Sequence, residues 1–342
     1  MTPSTLPLRR SRTAPRRPGA ALAGIAGALI VSVVLSVMTG ARSLSLPEWW
    51  RALVFPSPDP LTAIVWDMRI PRTLAGLAVG AAYGLAGALM QALTRNPLAD
   101  PGILGVNAGA GIAVTLGVGL SGLTGVAGYQ WFAFVGAVGA TILVLAVGAA
   151  GRGPAHPVQL VLGGVAMAAV LSGVNRFLTL LDPDTFEVVR TWGVGSIAGV
   201  RLVELIPVLP AMGVACVLAF LLARPLDAMA LGDDVASGLG VRIGWTRVGA
   251  VAAITLLAGS ATAITGGIAF VGLMVPHLVR WGVGSSQRLI LVGSLLAAPA
   301  LVLAADVLGR VLAAPGEIEV GILTAVIGAP PLVALSRRGS RG

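Results

Sequence analysis

Apolar runs about as long as a bilayer-crossing helix, roughly 20 residues, recur along nearly the whole chain and constrain its fold more than any other feature. Only 11% of the 342 residues are charged, and the mean hydropathy is +0.93. Soluble domains carry about 25% charged residues. The alternation of apolar and polar residues that marks a membrane β-barrel is absent. The sequence therefore predicts an all-α polytopic membrane protein.

About ten of these runs are expected to form transmembrane helices. They lie at residues 20–40, 71–94, 102–120, 126–150, 158–181, 201–223, 247–265, 268–283, 289–308 and 318–335. Five arginines precede residue 18 and three follow residue 336. Because positive charge accumulates on the cytoplasmic side, we expect both termini in the cytoplasm, which agrees with an even number of spans.

This topology divides the chain into a basic cytoplasmic tail (1–19), one transmembrane domain (20–335) and a short cytoplasmic tail (336–342). Residues 224–246 form the longest connection on the inner side, and residues 182–193 are expected to form a helix on the outer surface. The many glycines of the spans predict closely packed helices.

Residues that carry catalysis or bind metals are scarce. All 23 basic residues are arginine, so no lysine is present to complete a phosphate-binding loop. His156 and His277 lie far apart without metal-ligand spacing, and Cys216 is a lone thiol in an apolar run. The formal charge of +9 is not arranged as a stripe that could bind nucleic acid. We therefore expect no metal site, no cofactor and no nucleic acid partner, and any ATP must be hydrolysed by another chain.

Four segments together resemble one known family. They read RIPRTL (69–74), GALMQALTRNPLADPGILGVNAGAG (87–111), GGIAFVGLMVPHLVR (266–280) and LAADVLGR (303–310). In order and separation they are similar to the permease subunits of the iron-siderophore, haem and cobalamin ABC importers, the FecCD-like family. The resemblance extends over roughly residues 25–335.

The resemblance implies a type II ABC importer permease fold in the bacterial cytoplasmic (inner) membrane. Such a subunit pairs with a second permease, as a homodimer or a heterodimer. Two ATP-binding subunits hold ATP and Mg²⁺, so this chain is not itself an enzyme. An extracytoplasmic binding protein delivers the substrate, for which we expect a ferric siderophore, with haem or cobalamin as the alternative.

Three arginines are expected on the outer side, against the usual charge bias. Arg69 and Arg72 belong to RIPRTL, and Arg310 ends LAADVLGR. One interpretation is that they extend toward lipid headgroups. The resemblance implies instead that they pair with acidic residues of the binding protein.

Two further groups are candidates for the translocation pathway. Asn175 and Arg176 lie within the fifth span, where an ionisable residue usually faces a cavity or the bundle interior. Arg176 departs from the family pattern, and we expect it to favour an anionic ferric chelate, although it could also extend outward. The resemblance places the cytoplasmic gate near Gly153, Pro154 and Ala155, which could equally form an ordinary turn.

The inner connection contains the acidic stretch LGDDVASGLGV (231–241). We expect Asp233 to cap a short helix that a glycine turn separates from a second short stretch, VRIGWTR. The segment could be a solvated loop, but the resemblance places the docking surface of the ATP-binding subunits here. The residues assigned to this coupling role are Leu231, Gly232, Asp233, Asp234, Ala236, Gly238 and Gly240.

Two other classes of function are less consistent with the sequence. An ion-coupled secondary transporter usually buries carboxylates near the midplane of the bilayer, and the best candidates here, Glu204 and Asp306, lie near span ends. An intramembrane protease needs a paired nucleophile and base or an H-E-x-x-H motif, and neither is found.

Overall fold

The computed structural model describes residues 17–40, 44–122, 125–149 and 157–339. Within these ranges the chain forms sixteen α-helices and no strand. The helices are α1 (Pro18–Met38), α2 (Leu46–Val54), α3 (Pro60–Ala63), α4 (Ile70–Thr94), α5 (Val106–Ser121), α6 (Val126–Ala149), α7 (Pro157–Leu181), α8 (Pro183–Gly193), α9 (Leu202–Leu205), α10 (Leu209–Leu221), α11 (Ala223–Met229), α12 (Asp233–Gly238), α13 (Ile243–Thr265), α14 (Val271–Val283), α15 (Gln287–Leu312) and α16 (Val320–Gly339).

Each of the ten predicted spans overlaps a helix or an unbroken series of helices. Seven of these are long and apolar enough to cross a bilayer, and α5 and the first part of α16 are shorter apolar helices. The remaining predicted span, 268–283, corresponds to α14, which has only 13 residues. The all-α polytopic fold is therefore confirmed, with α5 and α14 shorter than a full bilayer crossing.

The second span begins earlier than predicted, at Pro60 rather than at residue 71. Asp59 accepts a hydrogen bond from the Thr62 amide at 2.7 Å and caps α3, whose first residue is a proline. That amide, with the Ser57 hydroxyl, holds the pKa of Asp59 below its usual range. A π-helical turn, Ile64–Arg69, then joins α3 to α4 without a break. The apolar run marked only the membrane part of this long helix.

Two short helices lie outside the spans. The predicted outer helix is present as α8. No helix was predicted over Leu46–Val54, but a capping box between Ser45 and Glu48 starts α2 there.

Proline and glycine interrupt the bundle in two places. The predicted span 201–223 begins as α9 and a 3-10 turn that contains Pro207, and α10 then starts at Leu209 with Pro210 as its second residue. Between α13 and α14 the chain is non-helical from Gly266, with φ of 73°, to Phe270, with φ of 68°. As a result α14 begins at Val271, three residues later than the predicted span.

The helices divide into a buried centre and an exposed periphery. In α4 and α13, 78% of the membrane segment is buried, compared with 17% in α1 and 11% in α7. Added Cβ atoms at Gly80 and Gly84 of α4 would clash with α15, and one at Gly87 would overlap the Gly272 carbonyl of α14. These glycines confirm the predicted close packing of helix backbones.

Candidate functional site

Arg69, Arg72 and Arg310 converge at the predicted outer end of α4 and α15. They line a cavity of about 750 Å³ with Asp67 and Glu317. Asp306 lies beneath Arg72 and Arg310 and is almost completely buried. We call Arg69, Arg72, Arg310, Asp306 and Glu317 the outer arginine cluster.

Two of the three arginines bond to the end of α1. Arg69 Nη1 donates to the carbonyls of Val37 at 2.8 Å and Met38 at 2.6 Å. Arg310 Nη1 donates to the carbonyls of Ser36 at 3.0 Å and Thr39 at 2.5 Å. The last carbonyls of a helix lack internal partners and carry partial negative charge. Arg69 and Arg310 are therefore buried caps of α1, with 5% and 7% of their surface exposed.

Asp306 forms ion pairs with two of the three arginines, Arg72 and Arg310. Arg72 Nη2 lies 2.7 Å from Asp306 Oδ1 and 2.7 Å from Glu317 Oε2, and Arg310 Nη2 lies 2.8 Å from Asp306 Oδ2. Glu317 is more than a third exposed. Because Arg72 pairs with it, Arg72 is the arginine of this cluster that reaches toward the surface. The predicted docking role of the three arginines remains a prediction, to which the structure adds a role in holding α1.

One arginine of this cavity was not identified from the sequence. Arg201 is 64% exposed, and its Nη2 lies 2.8 Å from the buried carboxylate of Glu204. The Arg201 amide also donates to Glu204, three residues later, in the pattern of a helix start. Both acids considered for ion coupling, Glu204 and Asp306, are thus paired with arginines at helix ends.

A second cavity of about 750 Å³ opens between α5, α7 and α8. Asn175 and Arg176, the residues predicted for the pathway, line this cavity. Asn175 accepts a short hydrogen bond from the Thr115 hydroxyl, whereas the exposed Arg176 guanidinium makes no hydrogen bond or ion pair with the described residues. Arg190 lies on the same wall and pairs with Glu187 at 2.7 Å, which holds the pKa of Glu187 below its usual range.

Gly267, in the non-helical stretch between α13 and α14, also lines this cavity. The buried Tyr83 hydroxyl lies 2.8 Å from the Thr262 hydroxyl and accepts from the Ile268 amide at 3.3 Å. The Thr262 hydroxyl donates to Asn107, which also lines the cavity, at 2.9 Å. Tyr83 was not identified from the sequence, because the groups it bonds lie about 180 residues away.

The proposed gate residues Gly153, Pro154 and Ala155 lie outside the described residues. His277 packs edge-on against Trp281 at 5.1 Å between ring centroids. Among the residues that the structure describes, no three His, Cys, Asp or Glu side chains are grouped to hold a metal ion.

The coupling segment, residues 224–246, contains α11, α12 and the start of α13. Gly232, not Asp233, is the N-cap of α12, and no side chain caps this helix. The predicted capping role of Asp233 is therefore wrong: its carboxylate pairs with Arg95 and Arg247 instead. The predicted second stretch, VRIGWTR, is not a separate element, because α13 starts at Ile243.

The end of α12 has the hydrogen bonds of a Schellman motif. The Val241 amide donates to the Ala236 carbonyl at 3.0 Å and the Gly240 amide to the Ser237 carbonyl at 2.9 Å. Gly240 has a φ of 82°, a left-handed conformation in which other residues are strained. Glycine at this position is thus explained by the backbone.

The small residues of the coupling segment differ in where they face. Ala236 is fully buried against this chain, so it does not present the contact surface expected of it. Gly238 is exposed, with open space where a Cβ would lie. The exposed apolar residues recur at every fourth position, and only Leu231 was identified from the sequence. They are Leu231, Val235 and Leu239, with 66%, 49% and 65% of their surface exposed.

Comparisons with known proteins agree with this architecture. The model of the FecCD transport family matches residues 28–338. The ferric enterobactin transport system permease protein FepD of Escherichia coli (strain K12) is 48% identical, covering 94% of this chain and 96% of the relative. The hemin transport system permease protein HmuU of Yersinia pestis is 32% identical, covering 88% and 90%.

A solved structure shares the fold. It is described as a metal-chelate type ABC transporter in an inward-facing conformation, and it matches with a TM-score of 0.82 and 27% identity, covering 94% of this chain and 99% of that one. Because the family model and both permeases cover most of the chain, the chain belongs to the FecCD transport family of ABC importer permeases.

Proposed function

We propose that this permease carries a ferric siderophore, delivered by an extracytoplasmic binding protein, across the bacterial inner membrane. The observation that carries the proposal is the 48% identity to a permease named for ferric enterobactin, over 94% of the chain. The relative named for hemin is less similar, at 32% identity. Haem or cobalamin is therefore the second choice of substrate.

The working assembly would contain a second permease, as a homodimer or a heterodimer, and two ATP-binding subunits that hold ATP and Mg²⁺. The sparsely buried α7, which lines the cavity of Asn175 and Arg176, suits the surface that faces the second permease. The arginine-rich ends support a topology with both termini in the cytoplasm.

This topology places the coupling segment inside and the outer arginine cluster outside. The two surfaces lie at opposite ends of α4: Arg72 is in its first turn, and Arg95 follows its last residue. At 1.5 Å per residue the 25-residue helix is about 37 Å long, enough to cross the bilayer.

On the inner side we assign α12 as the docking element for an ATP-binding subunit. Leu231, Val235 and Leu239 expose apolar surface next to the bare backbone of Gly238. A short helix with one apolar stripe suits insertion into a groove of a partner protein. Gly232, Asp234 and Gly240 shape or flank this surface, whereas Asp233 and Ala236 face this chain.

On the outer side the binding protein would dock over the outer arginine cluster. Acidic side chains on its lobes could pair with Arg72, which already shares its charge with an exposed carboxylate. Arg69 and Arg310 would support this surface from below by holding the end of α1.

The cavity lined by Asn175 and Arg176 would form one wall of the pathway. A guanidinium with no acidic partner among the described residues attracts an anionic ferric chelate and gives no such advantage to a neutral one. Gly153, Pro154 and Ala155 remain our proposal for the gate on the inner side of the same pathway.

The test is transport by the complete assembly in proteoliposomes. We would measure ATP-dependent uptake of an anionic ferric tris-catecholate, a neutral ferric hydroxamate, haem and cobalamin, each with its binding protein inside or outside the vesicle. Uptake of a ferric chelate that needs both ATP and external binding protein supports the proposal. Uptake driven by an ion gradient without ATP would instead support a secondary transporter.

The same assay tests Arg176. We expect Arg176→Gln to lower uptake of the anionic chelate by roughly tenfold, equivalent to about 1.4 kcal/mol, and to leave the neutral chelate unchanged. Arg176→Lys retains the charge and serves as the matched control. Equal losses for both chelates would contradict a role in charge selection.

A further inference from the structure

The helix α12 is too short to hold its position alone. It has six residues, and isolated helices of this length are unstable in water. Val235 and Leu239 point away from the protein, and Ala236 is the one residue of α12 that is fully buried. The position of α12 therefore depends on side-chain links to longer helices.

Asp233 makes two such links, one with each carboxylate oxygen. Oδ1 forms a short hydrogen bond with Arg95 Nη2, at the end of α4. Oδ2 accepts from Arg247 Nη2 at 2.5 Å, in the second turn of α13. Asp233 is the first residue of α12. Its carboxylate thus links α12 to the inner ends of α4 and α13, two of the most deeply buried helices.

The backbone at Arg95 provides independent support. Arg95 is in the left-handed conformation, with φ of 52°, at the C′ position of a Schellman motif that ends α4. Glycine is the usual residue there because it avoids the steric cost of a Cβ. An arginine at this strained position is explained if its guanidinium is needed, and the group that it contacts is Asp233.

A neighbouring link connects the coupling segment to the same helix. Asp227 of α11 accepts from the Gln287 amide at 2.9 Å, and the Gln287 side chain donates to the Ala88 carbonyl of α4 at 3.0 Å. The segment is therefore linked to α4 on two sides. Displacement of α12 or α11 would be transmitted to a helix that reaches the outer arginine cluster.

We propose that Asp233 is a positioning residue that transmits movement of α12 to α4 and α13, rather than a contact with the ATP-binding subunit. The inference rests on the proposed function, in which α12 receives that movement. Partly exposed ion pairs contribute little to folding stability, so we expect the effect of Asp233 on coupling to exceed its effect on stability.

The neighbouring acid provides a matched control. The Asp234 carboxylate is exposed and makes no hydrogen bond or ion pair with the described residues. Asp233→Asn and Asp234→Asn therefore remove the same charge one residue apart. Asp233→Glu retains the charge and should retain most of the function.

The experiment uses the complete assembly in proteoliposomes and measures binding of the ATP-binding subunit, ATP hydrolysis and uptake. For Asp233→Asn we expect unchanged subunit binding and a loss of uptake per ATP hydrolysed of about fivefold or more, the lower end of measured coupling between sites. Asp234→Asn, which removes a charge beside the docking surface, should instead weaken binding of the ATP-binding subunit. Equal behaviour of the two variants, or weaker binding of the ATP-binding subunit to Asp233→Asn, would overturn the proposal.

A second variant decides the case in which Asp233→Asn fails to assemble. In a Cys216→Ser background, Arg95→Cys and Asp233→Cys are joined by a reducible bifunctional thiol reagent. Cross-linking should restore uptake and reduction should abolish it again, whereas a linked protein that stays uncoupled would overturn the proposal. If the unmodified assembly shows no ATP-dependent uptake, the proposed function fails. Failure of the proposal for Asp233 alone would instead leave uptake by the unmodified assembly intact.

Discussion

The two ends of α4 use arginine and aspartate in opposite ways. At the outer end Asp306, Arg69 and Arg310 are each less than a tenth exposed, and every guanidinium bonds to a carboxylate or to a helix end. At the inner end Arg95 and Asp233 pair while more than a third of each side chain remains exposed. The outer ion pairs of Asp306 are part of the core, and the inner pair lies on the surface.

The difference indicates how each end can serve transport. A buried network has one favourable geometry and loses much of its energy when a member is removed, so the outer end is a preformed platform. An exposed pair can break and form again at little cost, so the inner end can follow a moving partner. The closely packed glycines of α4 connect the two ends with little freedom between them.

The largest effect is expected from Asp306→Asn. Removing a buried charge that serves two arginines should destabilise the protein by about 3–5 kcal/mol, because Arg72 and Arg310 lose their common partner. Thermal unfolding in detergent would measure the loss. The matched control is Glu317→Gln, which removes an exposed partner of Arg72 and should cost about 0–1 kcal/mol. Similar losses in both variants would remove the distinction between buried and exposed ion pairs.

An intermediate effect is expected from Arg72→Gln on capture of the loaded binding protein. Arg72 reaches toward the surface, so its loss should weaken capture by roughly tenfold, or about 1.4 kcal/mol, and more at low salt. Affinity measured at two salt concentrations would check both points. Glu317→Gln should not weaken capture, since it removes the competing carboxylate. Unchanged affinity in Arg72→Gln would exclude this arginine from the docking surface.

The smallest effect is expected at the inner end. Gly240→Ala places a Cβ in the left-handed conformation and should destabilise the end of α12 by about 1 kcal/mol. Gly238→Ala should stabilise the same helix by up to about 1 kcal/mol, because this glycine is helical and its surroundings are open. Amide hydrogen exchange of α12 would accelerate in the first variant and slow in the second. The same sign in both would contradict the Schellman motif as the reason for Gly240.

The transmembrane helices were predictable because one local property, apolar length, determines them. Signals for the corrections were also local: Asp59 followed by Pro60 is a helix start, and Ser45 with Glu48 is a capping box. Pro207 and Pro210 mark the broken start of α10. The helices α2 and α3 were missed because the prediction searched for long apolar runs, and neither helix contains one.

The roles of the charged residues were harder to predict, because their partners are distant in the chain. Arg69 and Arg310 resemble any surface arginine until the carbonyls that they bond, 32 and 271 residues away, are known. Asp233 resembles a helix cap, and only its approach to Arg95, 138 residues earlier, shows a different role. Tyr83 was not identified either, since the groups that it bonds, Thr262 and the Ile268 amide, are also distant in the chain.

The capping of α1 by Arg310 also bears on how the protein is made. The two partners, Arg310 and the Ser36 carbonyl, are 274 residues apart. At about 5–20 residues per second, the ribosome adds Arg310 about 14–55 s after the end of α1 has been synthesised. During that interval water or lipid headgroups must satisfy the Ser36 and Thr39 carbonyls, since Arg69 bonds only those of Val37 and Met38. The first helix to enter the membrane is thus among the last to be completed.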